Sequence, residues 1–148
     1  MCVVSNRVDD DSDLTQNLVT ALGKARNLVA AELAAGLEDV GVNAQERSIL
    51  LTLMRESVRS PAALAKSLNI HPGRMTRVLD RLEKNGLVQR SRNDTDRRVV
   101  DVSLTQTGKE RAERSAQVVP GLRSQRFAHF TNADFDALNK LLSKLLRG

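Results

Sequence analysis

Residues 71–88, HPGRMTRVLDRLEKNGLV, hold the side chains with the most chemistry to offer. Arg74, Arg77 and Arg81 recur at three- and four-residue steps, so on a helix they share one side, with Thr76 beside them. Met75, Val78, Leu79 and Leu82 fall on the other side. An apolar back and a front of long planar donors is what a helix needs in order to lie in a DNA major groove. Arginine reaches guanine O6 and N7 with two parallel hydrogen bonds, and a hydroxyl suits a phosphate oxygen. Gly73 lets the helix start approach a nucleic-acid backbone closely, and the free amides there favour phosphate. Taken alone, the pattern also fits a solvated surface helix with ordinary arginines, so its neighbours must decide.

A second basic group follows at once. Arg90, Arg92, Arg97 and Arg98 surround Asn93, Asp94 and Asp96 in a stretch too polar for a core. Leu87-Val88 precedes it, and Val100, Val102 and Leu104 alternate with Asp101 and Ser103 after it, which predicts two strands joined by a long charged tip. A protruding arginine can enter a minor groove, where a narrow A·T tract concentrates negative potential. The acids oppose DNA binding unless they hold the arginines in place. Asp96 is expected to orient the tip, and Arg98 to reach back to Asp80 on the arginine helix.

The elements that must carry these groups are punctuated by local signals. Leu14, Leu18, Leu22, Ala25, Val29 and Leu33 predict one long amphipathic helix to about Glu38. Asn43 and Glu46 have capping-box spacing before Ile49, Leu50, Leu53 and Met54. Ser60-Pro61 and His71-Pro72 open two short helices, turning at Asn69-Ile70, and Gly86 stops the second. Two short helices with a tight turn are a helix-turn-helix outline. A short strand near Val58-Arg59 could join the hairpin. Thr105 begins a fifth helix running towards His129, which Pro120-Gly121 should kink or interrupt. Thr131 and Asp134 open a last helix bearing Phe135, Leu138, Leu141, Leu142 and Leu145. The expected units are a loose tail at 1–13, a first helix at 14–40, a winged helix-turn-helix at 41–104 and C-terminal helices at 105–148. The fold class is mainly α with a small β-wing.

Composition narrows the function classes. The 148 residues carry a net charge of +5, distributed unevenly: net −4 over 1–54, +6 over 55–114 and +3 over 115–148. A basic middle beside an acidic start suits a polyanion. No apolar run is long enough to span a bilayer, and the first residues do not read as a signal peptide, so a cytoplasmic location is expected. Cys2 is the single cysteine and His71 and His129 the only histidines, too few for the usual structural zinc set. No cofactor is expected. Neither a nucleophile–base pair nor a phosphate loop is present to suggest an enzyme.

The run from Ser60 to Gly108 resembles the MarR family of winged-helix regulators. The matching pieces are Leu64-x-x-x-Leu68, then Thr76-Arg77-Val78-Leu79-Asp80-x-Leu82-Glu83-x-x-Gly86-Leu87-Val88, then Asp94-x-Asp96-Arg97-Arg98, ending in Val102-x-Leu104-Thr105-x-x-Gly108. The flanking helices fit as well, so the likeness covers nearly everything after about residue 13. It implies an obligate homodimer whose first, fifth and sixth helices interlock. It also implies Arg77 as a base reader, Thr76 as a phosphate contact, and Arg97 or Arg98 as the wing-tip contact. The residues support a dimer independently: Leu18 and Leu22 on the first helix, and Phe127, Phe130 and Phe135 beside the leucine-rich last one, need a face to bury against. Cys2 in the tail and the absence of tyrosine argue against the thiol-sensing branch. What remains implies a small phenolic or aromatic anion bound between the dimer helices and the DNA-binding lobe. Arg26, Arg55 and His71 were candidates for it, and no effector residue is assigned. The function so implied is a ligand-relieved repressor acting on a near-palindromic operator. A MarR-type activator, or a winged-helix protein-interaction module without DNA specificity, is the alternative.

Overall fold

The computed structural model describes residues 6–55 and 58–147, with side chains from residue 11 onward. A long helix α1 (Asn6–Leu37) ends in a 3-10 turn (Glu38–Val40) at Gly41, whose positive φ of 72° makes the corner. Then come α2 (Ala44–Arg55), α3 (Pro61–Ser67), α4 (Pro72–Lys84), β1 (Val88–Arg92), β2 (Val100–Leu104), α5 (Gln106–Ala116), α6 (Val118–Gln125) and α7 (Asn132–Arg147). The two strands pair antiparallel, Val88 opposite Leu104 and Arg92 opposite Val100. This is a winged helix-turn-helix held between terminal helices.

Local signals account for most boundaries. Asn43 and Glu46 form the expected reciprocal cap, at 2.9 and 2.8 Å. Ser60 Oγ accepts the Ala63 amide, and His71 Nδ1 accepts the Gly73 amide, so His71 starts α4. After α3, the amides of Asn69 and Ile70 turn back to the carbonyls of Lys66 and Ala65, with Asn69 at φ 51°. Gly86 does the same after α4 at φ 69°, its amide on Glu83 O and that of Leu87 on Leu82 O. These are paired helix-ending bonds that require a left-handed residue, which glycine and asparagine adopt at least cost.

Two expectations change, and the expected kink or interruption of the fifth helix resolves as an interruption. The first helix begins at Asn6, so residues 6–13 are helical instead of a loose tail. The fifth helix becomes two, broken at Gln117. Pro120 cannot donate to the carbonyl four residues back, and that residue, Ala116, is where α5 ends. The third strand reduces to one backbone bond, from the Val102 amide to Arg59 O at 2.8 Å.

The core lies within the central lobe. Ile49 and Leu50 of α2, Leu64 of α3, Met75, Leu79 and Leu82 of α4, Val88, Val102 and Ala112 are all buried. At about 25 cal/mol per Å² of apolar surface removed from water, each large side chain stabilises the lobe by roughly 1.5–3 kcal/mol. Gly108 allows the closest packing: a Cβ there would overlap the Leu87 carbonyl oxygen. Beside it, Thr105 Oγ1 donates to Gly86 O at 2.6 Å and accepts the Gly108 amide, stitching the start of α5 to the end of α4.

Three arginines fasten this lobe to the terminal helices. Arg111 donates to Val40 O, Arg114 to Asp39 O and Arg47 to Ser115 O, so the carbonyls ending the first helix are held from α5. Burial, then the nearby charge of Arg55, pull Arg47 below the usual arginine pKa. Higher up, a Cβ on Gly36 of α1 would come within 2.5 Å of a Val118 methyl of α6, so any larger residue there would force Val118 to shift. Arg126 pairs with Glu32 across the same two helices. Beyond this the terminal helices lie open. Leu14, Leu18, Val19 and Leu28 of α1 are exposed, and α7 buries no residue, with Leu141 65% and Leu145 56% exposed.

Candidate nucleic-acid interface

The apolar back of α4 packs as its spacing predicts, with Met75, Val78, Leu79 and Leu82 buried. Gly73, Arg74, Thr76, Arg77 and Arg81 are all on the exposed side. Their states differ. Arg74 Nε donates to Gln45 Oε1 at 3.1 Å, and Arg81 Nε to Glu46 Oε1 at 2.6 Å. Among the described residues Arg77 makes no hydrogen bond or ion pair, so it stands between two tethered arginines as a free guanidinium. Thr76 Oγ1 donates to Pro72 O at 3.1 Å, so a phosphate contact from this hydroxyl requires it to release that carbonyl.

The hairpin is clamped to α4 at its base. Arg90 of β1 donates to Asp80 Oδ1 at 2.7 Å and to Glu83 Oε2 at 2.6 Å, while its amide reaches Glu83 Oε1. Partial burial alone would weaken the guanidinium's hold on its proton. The hydrogen bonds to Asp80 and Glu83, and their charges, outweigh it and raise its pKa. Here the structure corrects an expectation: Asp80 is met by Arg90, not by Arg98. Arg90 is the middle residue of β1, soon after the α4 stop, and opposes Asp80 and Glu83, one helical turn apart, whereas Arg98 sits in the tip beyond the strand.

At the tip, Asn93 organises the backbone. Its Oδ1 accepts the amides of Thr95 and Asp96 at 2.9 and 3.0 Å, and its Nδ2 donates to Asp101 at 2.7 Å. Asp96 Oδ1 accepts the Arg98 amide at 3.0 Å, and its carbonyl accepts that of Val99. The acids and the asparagine therefore shape the turn through backbone amides. The side chains of Arg97 and Arg98 form no ion pair among the described residues and are exposed. Arg26 and Arg55, once candidates for an anion, lie exposed on α1 and at the end of α2.

Gln45 was not singled out from sequence, and Glu46, Glu83, Arg90 and Asn93 were named there without the fixing partners found here. Glu83 at three residues from Asp80 was a readable signal for a basic partner on the next element. The pairing of α2 with α4 had none. At the other end, Phe127, Phe130 and Phe135 pack on each other within one chain, with centroids 5.2–5.6 Å apart, and Arg123 lies over Phe135. Leu22, Phe127, Phe135 and Leu142 are half-buried, while Phe130 and Leu138 are exposed. Cys2 lies outside the described residues.

The profile of the MarR family matches residues 42–100, from the 3-10 corner to the start of β2. The multiple antibiotic resistance protein MarR of Escherichia coli (strain K12) is 32% identical over 111 residues, 74% of this chain and 77% of that protein. The chain belongs to the MarR family. Among solved MarR-family structures, the transcriptional repressor CouR bound to a 23-mer DNA duplex superposes with a TM-score of 0.80 at 27% identity, over 90% of this chain and 95% of that one. A mutant MarR from E. coli complexed with operator DNA superposes at 0.77 with 30% identity, over 88% and 96%. As a MarR-family protein, this chain is a DNA-binding transcriptional regulator, and its relatives are regulators, not enzymes.

Proposed function

We propose that the protein is a homodimeric repressor that reads a near-palindromic operator in the cytoplasm and releases it when a small aromatic or phenolic anion binds. The observation that carries this reading is Arg77, a free guanidinium on an exposed helix front whose neighbours are all fixed in place. A base-reading group needs its donors uncommitted and its backbone immobile. The wing would place Arg97 or Arg98 in the adjoining minor groove, and Arg74 and Arg81 would hold phosphates; the Gly73 amide, expected to be free, is taken by His71 Nδ1, so Gly73 and Thr76 join them only on releasing His71 and Pro72 O. Asp80 and Asp96 would serve by orienting the wing.

A second copy is the occupant that suits the open leucines of α1 and α7, because both terminal helices expose an apolar face that the rest of the chain leaves uncovered among the described residues. Two subunits then present two α4 helices about one DNA turn apart. The effector reading is supported by a cavity of about 720 Å³ bordered by Ala34, Gln45, Arg74, Arg77, Val78 and Arg81. It is basic, part apolar, and touches the front of α4. An anion there competes for the arginines that DNA needs, and it shifts binding only by as much as its affinities for the two states differ.

Selection of duplexes from random DNA at near-physiological salt tests the proposal. A two-fold-symmetric motif with half-sites about one turn apart is expected, with binding then lost on adding an aromatic carboxylate. Enrichment of nothing above background would leave a winged-helix protein-interaction module as the better description.

A further inference from the structure

We propose that Glu46 is a positioning residue for DNA binding: its buried carboxylate holds Arg81, and with it the roll of α4, against the start of α2. The inference rests on the DNA-binding reading above. A reciprocal helix cap uses one carboxylate oxygen, and here Oε2 serves it by accepting the Asn43 amide at 2.8 Å. The other oxygen is not spent on water. Oε1 accepts Arg81 Nε at 2.6 Å, and the side chains are 8% and 51% exposed respectively. The acid is thus enclosed by the protein while the guanidinium stays mostly in solvent.

The preceding residue repeats the arrangement. Gln45 Oε1 accepts Arg74 Nε at 3.1 Å. In both pairs the nitrogen nearest the stem is taken, and the terminal nitrogens of Arg74 and Arg81 have no protein partner among the described residues. At 1.5 Å rise per residue the two arginines lie about 10 Å apart along α4. Two attachments at that spacing resist both sliding and rolling of the helix, where one would leave a pivot. Arg77 and Val78 lie between them. Gln45 and Glu46 therefore fix the direction in which Arg77 faces while leaving four terminal nitrogens for phosphate.

The test is a double-mutant cycle on affinity for a duplex selected by the wild-type chain, with a random-sequence duplex as reference. Glu46→Gln presents an amide NH₂ to one of two donors, so one attachment is lost. We expect roughly a tenfold loss on the selected duplex, within the range for one such contact, and a smaller loss on the random one. In an Arg81→Met background Glu46→Gln should change neither. Asn43→Ala removes the other half of the cap without touching Arg81: it should lower the unfolding midpoint by roughly 2–4 °C and leave affinity unchanged. Should Glu46→Gln fail to fold, Gln45→Ala cycled with Arg74→Met makes the same comparison at an exposed pair.

Effects that multiply in the cycle, or an Asn43→Ala affinity loss equal to that of Glu46→Gln, would overturn the proposal and leave Glu46 a cap alone. Failure of the wild type to enrich any duplex would instead remove the DNA-binding reading and this inference with it.

Discussion

Replacing Arg90 with methionine keeps most of the apolar stem and deletes the guanidinium that joins the wing to α4. Two unit charges about 4 Å apart attract by about 4 kcal/mol at an effective dielectric of 20. That gross figure is not what the pair contributes. Asp80 and Glu83 are 59% and 41% exposed, so water competes for both, and Arg90 itself is 24% exposed and partly desolvated. Exposed pairs typically net about 0.2–1 kcal/mol each, which makes about 0.4–2 kcal/mol for the two and a midpoint lowered by roughly 1–8 °C. Thermal unfolding of Arg90→Met against wild type at about 0.1 M and 1 M salt should show the gap narrow at high salt, where the Debye length falls to about 3 Å. DNA binding should show more. An unfastened wing presents Arg97 and Arg98 poorly, so Arg90→Met should lose preference for A·T-rich flanks much as Arg97→Ala with Arg98→Ala does, while half-site discrimination stays. A stability cost unchanged in an Asp80→Asn, Glu83→Gln background would refute the electrostatic account. Flank preference intact in Arg90→Met would refute the role of the clamp in aiming the wing.

Other perturbations separate reading, packing and assembly. Arg77→Ala should lose about 1–3 kcal/mol of operator affinity and relax discrimination at one base pair; an equal loss on all duplexes would make it a phosphate contact. Gly108→Ala forces a Cβ into the Leu87 carbonyl, and the overpacking should cost at least about 1–3 kcal/mol in urea denaturation; a stability loss below that would mean the two elements slide apart easily. Leu141→Glu with Leu145→Glu puts charge on an exposed α7 face, so sedimentation should find monomers while the monomer's helical signal persists. Continued dimers would place the interface elsewhere.

What could be read from the chain was local. Ser60, His71, Asn43 and Thr105 cap their helices through bonds to amides two or three residues on, and such bonds follow from spacing alone. The second wing strand announced itself by alternation and the first by Leu87-Val88, while the apolar residues behind Arg77 marked its side of α4 as the outer one. What could not be read was which distant groups meet. Arg81 finds Glu46 across 35 residues, Arg74 finds Gln45 across 29, and Arg114 finds Asp39 across 75. The first two depend on how the start of α2 meets α4 and the third on how α5 meets the 3-10 turn, and these are decided by the packing of the core around Ile49, Leu50, Leu79 and Ala112, not by any one side chain's preference. The Arg98–Asp80 expectation failed for this reason: the charges were counted correctly, but the distance along the hairpin decides which arginine is near. The acidic start misled because polarity suggested looseness.

The length of α1 gives its root unusual mechanical importance. Its 32 residues extend about 48 Å at 1.5 Å per residue, and among the described residues its fastening to the rest of the chain is near one end, through Gly36, Glu32 and the 3-10 turn that follows, whose carbonyls are held by Arg111 and Arg114. It is a lever with its fulcrum at the DNA-binding lobe. A tilt of about 5° at that fulcrum carries the far tip through about 4 Å over this length, and the same ratio runs in reverse. Whatever grips the far arm therefore bears on the lobe's orientation, because a movement of about 4 Å among distant leucines corresponds to only about 5° at the root.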